Sequence, residues 1–329
     1  MSNRSRVAVL DDWQDVARGA ADWSMLESRA DVVIFPEAFA DEDDAAAQLA
    51  DFDIVLSMRE RTKLPASLIN RLPKLRFLGI TGARNLSLDV AACTGRGVPV
   101  SNTQGGGYAD SATAELALGL LLAAARGIAV GDEMIRAGGF QRGVPVGIGL
   151  AGKTMGIVGL GRLGTYMATY CKALRMEVIG WSTNLTAEKA AAAGVKYVPK
   201  DVLMATSDAI SIHLVLSDRS RGLVGPADIA QMKQGAILIN TSRGPIIDEA
   251  ALLEAVHAGK IVAALDVYDH EPLSHDHPLR SAPNTVLTPH LGYCVRETWD
   301  QFYPQMIENA LAFLDGKPIR VMNPEALKA

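Results

Sequence analysis

The chain has 329 residues, 49% hydrophobic and 21% charged, with a formal net charge of −5. That length suggests two domains, and the composition is that of a soluble globular protein. The acidic balance gives no field for a phosphate backbone and aromatics at 5% leave little to stack on bases, so no nucleic-acid partner is expected.

Residues 1–6 carry two arginines, but the apolar run that follows, 7–10, stops at Asp11 and Asp12. No signal peptide is expected. Short apolar runs then recur at 6–10, 32–35, 53–56, 75–80 and 98–100, separated by helix-like stretches such as 65–71, where Pro65 suits a first turn. The runs do not alternate strictly, so they read as strands buried on both faces of a parallel sheet. Residues 109–137 read as one long Ala/Leu-rich helix, closed by Gly138 and Gly139. It is apolar nearly all round, which predicts burial between domains or subunits. Its greasiest part, 116–125, is too short to span a bilayer, so no membrane is expected. The Gly/Pro-rich residues 138–149 read as an extended arm or linker.

A second series of strands is expected at 154–158, 176–181, 209–214, 236–240, 261–267 and 285–287. Asp248 is placed to cap a helix ending near Gly259, and a last amphipathic helix is expected over 298–314. Two βα series predict two doubly wound α/β domains.

The turn Gly159-Leu160-Gly161-Arg162-Leu163-Gly164 follows a predicted strand and opens a predicted helix. In that context Gly159 permits the tight turn, Gly161 lets the backbone approach a pyrophosphate, and Gly164 lets helix and strand pack closely. The phosphates would sit on free N–H groups at the helix N-terminus. A carboxylate about 20 residues on normally accepts the ribose hydroxyls of NAD. Here the strand ends Gly180-Trp181-Ser182-Thr183-Asn184, with neither a carboxylate nor an arginine, and Lys189 is the nearest cation. NAD and NADP both stay open.

Three further segments each follow a predicted strand and contribute Arg243, Glu271 and His290 to one sheet edge. An arginine fork can hold a carboxylate and polarise an adjacent ketone. A histidine can donate the proton the ketone oxygen needs as hydride arrives, and a carboxylate on its ring orients it and raises its pKa. Together they suit carbonyl reduction.

On Gly159 to Gly164, Asn240 to Asp248, Leu265 to Leu273 and Thr288 to Gly292, the chain resembles the D-isomer-specific 2-hydroxyacid dehydrogenases, which include D-3-phosphoglycerate dehydrogenase and glyoxylate reductase. The resemblance implies a Rossmann NAD(P)-binding domain, 105–295, inserted in a flavodoxin-like substrate domain, 1–104 plus 296–329. It makes Arg243 the substrate-binding arginine, Glu271 the orienting acid and His290 the acid/base. It assigns Asp266 to the nicotinamide carboxamide and Arg162 and Leu163 to the pyrophosphate, with Ser182 at the adenosine ribose and Thr241 on the cofactor side. Met58-Arg59-Glu60 and Thr81-Gly82-Ala83-Arg84 match loops that grip the substrate carboxylate, which implicates Arg59 and Gly82. The implied reaction is hydride transfer between NAD(P)H and a 2-oxoacid in a cleft between the domains. The helix after Ala109 is implied to build a homodimer. Ser182, the 82–85 loop and Val215 depart from the family pattern, and Glu271 speaks against formate as substrate. A dinucleotide-sensing, corepressor-like regulatory protein on the same fold is the alternative.

His213 is read as a wall or backbone-positioning residue, and His275-Asp276-His277 as a polar loop, so no metal site is expected. Cys93, Cys171 and Cys294 lack metal or redox spacing and read as reduced thiols of a cytoplasmic protein, with Cys294 a bystander near His290.

Overall fold

The computed structural model describes residues 4–105 and 107–328. The first three residues of the N-terminal segment, where no signal peptide is expected, lie outside that range. The chain divides into two units, one holding residues 1–109 and 295–329, the other Asp110–Cys294.

In the first unit, β1 (Ser5–Val9), β2 (Ala30–Ile34), β3 (Ile54–Ser57), β4 (Phe77–Ile80) and β5 (Val100–Asn102) pair in parallel in the order β2-β1-β3-β4-β5. That is the flavodoxin-like order. Each residue of β3 and β4 is buried, as their unbroken apolar runs require of a sheet covered on both faces. The C-terminal helix Arg296–Leu314 joins this unit, stacking Phe313 on Phe77 with ring centroids 4.8 Å apart. The strand order reverses between β1 and β3. Just past their ends Asp11 and Arg59 adopt left-handed backbone conformations, with φ of 62° and 51°.

The second unit contains β6 (Thr154–Val158), β7 (Glu177–Trp181), β8 (Lys196–Tyr197), β9 (Ala209–Ile212), β10 (Ala236–Asn240), β11 (Ile261–Leu265) and β12 (Thr285–Leu287). All pair in parallel, in the order β12-β11-β10-β9-β6-β7-β8. Counted from β6, this is the Rossmann order with one strand added. Two-residue β8 was not expected, because so short a strand leaves no periodicity to read.

The helix expected over 109–137 is not continuous. A 3-10 turn, Gly107–Ser111, leads into α1 (Ala112–Arg126), and α2 (Ile128–Arg136) leaves it at 66°. Gly127 makes the break by taking φ of 59°, a left-handed cap that glycine adopts without steric cost. α1 buries Ala117, Leu120 and Leu121 against Ile157 of β6 and Met167. α2 buries no residue within this chain. Among the described residues, no single helix is long and apolar enough to cross a membrane.

Candidate active site

β6 runs into the glycine turn and α3 (Arg162–Ala173) leaves it. Gly159 has φ of 100°, and a Cβ there would overlap the carbonyl oxygen of His213. A Cβ at Gly164 would overlap the carbonyl oxygen of Gly159, so both glycines are demanded by close backbone approach. A Cβ at Gly161 would meet nothing within 4 Å, and no side chain caps α3. The first-turn N–H groups therefore stand over open space, which fits a dinucleotide pyrophosphate. The guanidinium of Arg162 pairs with Asp110 at 2.5 Å, and Leu163 is half-buried. At the end of β7, half-buried Ser182 accepts the Leu185 N–H through its carbonyl, and Lys200 lies 6.0 Å from the Trp181 ring with its ammonium held by Asp228.

The segment after β10 is folded on itself by side chains that copy backbone bonds. Asn240 donates to the carbonyl of Arg243 at 2.9 Å and accepts the Ser242 N–H at 3.0 Å. Ser242 donates to the Ile212 carbonyl at 2.8 Å, tying the segment to β9. The Arg243 side chain donates to the Ser242 carbonyl at 2.7 Å. A Cβ at Gly244 would overlap the backbone of Tyr268 and Asp269, so the loops after β10 and β11 touch main chain to main chain. Beside Thr241, at the end of β9, sits His213. The Thr241 hydroxyl and His213 Nδ1 are buried without a hydrogen-bond partner.

Past β11 the carboxylate of Asp266, 1% exposed, binds the loop after β12. It accepts the Thr288 hydroxyl at 2.6 Å and the N–H groups of Leu291 and Gly292 at 2.7 and 2.8 Å. Burial raises its pKa above the usual carboxylate range, against the lowering pull of those bonds and of His290. His290 between them has φ of 55°, a left-handed conformation costing about 1–2 kcal/mol for a residue with a Cβ. Its own N–H is held by the Asp266 carbonyl at 2.9 Å. His290 Nδ1 meets Glu271 Oε2 at 2.5 Å, and Glu271 Oε1 accepts the Tyr268 N–H at 2.9 Å. The Tyr268 hydroxyl donates to the Thr288 carbonyl at 3.0 Å, closing the loops on one another. The two side chains are 23% and 24% exposed, shielded but reachable. Tyr293 stands edge-on to the imidazole, 5.7 Å between centroids.

In the first unit, Arg59 and Gly82 lie side by side. The Arg59 guanidinium occupies the space a Cβ at Gly82 would need, and it donates to the Thr81 carbonyl at 3.3 Å. Asn85 donates to the Arg59 carbonyl at 2.6 Å. Elsewhere, His277 pairs with Glu249 at 3.3 Å, and no group of three metal-ligating side chains occurs among the described residues.

Residues 118–292 match the family model described as D-isomer specific 2-hydroxyacid dehydrogenase, NAD binding domain. The chain belongs to this family. It is therefore an oxidoreductase of the D-2-hydroxyacid dehydrogenase type with an NAD(P)-binding domain. It is 40% identical over 264 residues to a D-3-phosphoglycerate dehydrogenase of Archaeoglobus fulgidus, an alignment covering 80% of this chain and 50% of that protein. It is 38% identical to a glyoxylate reductase of Aeropyrum pernix, covering 81% of this chain and 82% of the relative. The crystal structure of a phosphoglycerate oxidoreductase from Vibrio cholerae superposes with a TM-score of 0.89 at 33% identity, covering 95% and 99% of the two chains.

Within this dehydrogenase, sequence reasoning missed the residues that hold the others in place: Asn240, Ser242, Tyr268 and Thr288. Asn240 and Ser242 carried a signal, since short polar side chains directly after a strand favour local turns. The Tyr268 hydroxyl and Thr288 carried none, because their partners lie 20 and 22 residues away.

Proposed function

We propose that the chain catalyses the interconversion of a 2-oxoacid and a D-2-hydroxyacid, with His290 as acid/base, Glu271 orienting it and Arg243 binding the substrate. The observation that carries this reading is the His290–Glu271 contact at the sheet edge that also bears Arg243. When bound, the reduced dinucleotide supplies the hydride. Gly159, Gly161, Arg162, Leu163 and Gly164 would hold its phosphates, Ser182 the adenosine ribose, and Thr241 and Asp266 its other half. Arg243 would hold the substrate carboxylate in two hydrogen bonds and draw charge from the adjacent carbonyl. With Nδ1 engaged by Glu271, the proton delivered to the keto oxygen would leave from Nε2. Glu271, in contact with Nδ1, would stabilise the charged imidazole before transfer. In the reverse direction Nε2 accepts the hydroxyl proton. Arg59 and Gly82 are proposed as further substrate-binding residues, on their match to the family's loops.

A homodimer is part of the proposal. α2 and the arm after it expose Ile128, Ile135, Phe140 and Val146, an apolar set that a second copy would cover. A cytoplasmic location is supported by three free cysteines.

The test is a panel of glyoxylate, hydroxypyruvate, pyruvate and bulkier 2-oxoacids with NADH and NADPH in parallel. Oxidation with at least one pair is expected. Failure with every pair would reject the enzymatic reading.

A further inference from the structure

Asp11, just past β1, reaches across to the loop after β3, the loop that carries Arg59. The residue is 1% exposed, and both carboxylate oxygens are committed to Thr62. Oδ1 accepts the Thr62 hydroxyl at 2.9 Å and Oδ2 the Thr62 N–H at 3.1 Å. The Asp11 carbonyl oxygen accepts Arg61 Nη1 at 2.6 Å. The Arg61 guanidinium lies 4.5 Å over the Trp13 ring and 6.0 Å from the Trp299 ring of the C-terminal helix. Such contacts hold a cation against aromatic faces, so Arg61 is tied to the loop after β1 by its ring contacts as well as by its hydrogen bond.

The loop after β1 is a firm base for this grip. The Asp12 N–H donates to the Phe35 carbonyl at 2.9 Å. The Asp12 carboxylate accepts the Val16 and Ala17 N–H groups at 2.9 and 3.0 Å and the Tyr303 hydroxyl at 3.3 Å. At the other end of the Arg59 loop, the Arg59 N–H donates to the Thr81 hydroxyl at 2.7 Å. Arg59 thus turns left-handed between two anchors, in a conformation that a residue with a Cβ keeps only when its surroundings impose it.

A buried carboxylate is a poor choice for packing alone, because desolvation opposes its charge. Burial pushes the Asp11 carboxyl up to about 6, against the Thr62 bonds and the charge of Arg61. What the group offers in return is a pair of acceptors for the N–H and the O–H of one residue. Its place adds to this, since the strand order reverses between β1 and β3, where ligands of doubly wound folds bind.

We infer that Asp11 is a positioning residue for substrate recognition. By clamping Thr62 and Arg61 it fixes the turn at Arg59, and so the direction in which the Arg59 guanidinium meets the oxoacid. The inference rests on the reading of Arg59 as a substrate-binding residue.

The experiment measures KM, kcat and the dinucleotide dissociation constant, using whichever of glyoxylate and hydroxypyruvate the unaltered protein reduces faster. The variants are Asp11→Ala, Asp11→Asn, Thr62→Val, Arg59→Ala and the double change of Asp11→Ala with Arg59→Ala. Asp11→Ala should raise KM about tenfold while kcat and dinucleotide binding stay nearly unchanged. Asp11→Asn should recover most of that loss, because its amide oxygen can accept the Thr62 N–H while its NH2 donates to the Thr62 hydroxyl. With Arg59 already removed, Asp11→Ala should raise KM little further, as expected of two residues that act through one loop. Thr62→Val drops one of the two bonds and should raise KM by a smaller factor, and it decides the matter if Asp11→Ala does not fold. An unaltered KM in folded Asp11→Ala or in Thr62→Val would overturn the inference in favour of a purely structural carboxylate. So would losses in the double variant that simply multiply. An unaltered KM in Arg59→Ala would instead sink the reading beneath.

Discussion

Glu271 grips His290 with one carboxylate oxygen and is itself gripped through the other by the Tyr268 N–H. The imidazole is thus oriented by a side chain whose own position is fixed by main chain. His290→Ala, with Arg243 intact, should lower kcat about 100- to 10,000-fold while the dinucleotide dissociation constant stays nearly unchanged. Glu271→Gln keeps the size of the group but loses the charge that stabilises an imidazolium, and should cost a smaller part of the same kcat. Steady-state rates paired with dinucleotide titrations check both, and unaltered turnover in His290→Ala would remove it from the chemistry.

Asp266 holds the left-handed turn at His290 with three hydrogen bonds. Asp266→Asn can turn its oxygen to only one side. If that oxygen keeps Thr288 and Leu291, the new NH2 faces the Gly292 N–H. Two opposed donors in a buried site should destabilise the fold by about 1–3 kcal/mol. A melting curve reads this directly, and an unchanged Tm would mean that the turn at His290 is held by its own backbone.

Much of this was open to sequence reading, and the reasons differ by element. Strands β6, β10 and β12 match their expected limits, since unbroken apolar runs bounded by polar residues leave little freedom. The break at Gly127 was passed over because one glycine within an Ala/Leu-rich stretch is as compatible with a helix interior as with a cap. What separates the cases is the arm, whose Ile148 N–H bonds to the Ala125 carbonyl from 23 residues away. Arg243, Glu271 and His290 could be named because each follows a strand at one sheet edge. The left-handed turn at His290 could not, since nothing local distinguishes it.

Burial drives the imidazole of His213 down to about 4 from an ordinary 6.5. The folded protein binds this proton less readily than the unfolded chain does, so the neutral ring's contribution is fully present above pH 6.5 and is lost as pH falls towards 4. The loss approaches about 3 kcal/mol, at the order-of-magnitude level. Denaturant midpoints across that window should fall for the unaltered protein and fall less for His213→Gln. Parallel curves would show that another group sets the slope.

Gly82→Ala places a methyl where the Arg59 guanidinium lies and at φ of 81°, so Arg59 must move. KM for the oxoacid should rise about tenfold or more with dinucleotide affinity unaltered. A change confined to dinucleotide binding would separate this loop from substrate recognition.

Phe140 and Val146 are 72% and 99% exposed, which is costly for apolar groups unless another surface covers them. Phe140→Asp with Val146→Asp should shift the sedimentation coefficient from dimer to monomer. A monomeric unaltered chain would discard the dimer.

Three adjacent strands, β10 to β12, deliver Arg243, the Glu271 loop and His290 at the same rim of one sheet. The opposite rim lies a strand away, roughly 16 Å for five residues. Insertions and deletions at that far rim, as in the turn at Gly259, can accumulate over generations without reaching the reactive groups. A single residue gained between Leu265 and Glu271, or between Leu287 and His290, would disturb them at once. Length variation among descendants of this chain should therefore gather on one rim of the sheet and be purged from the other.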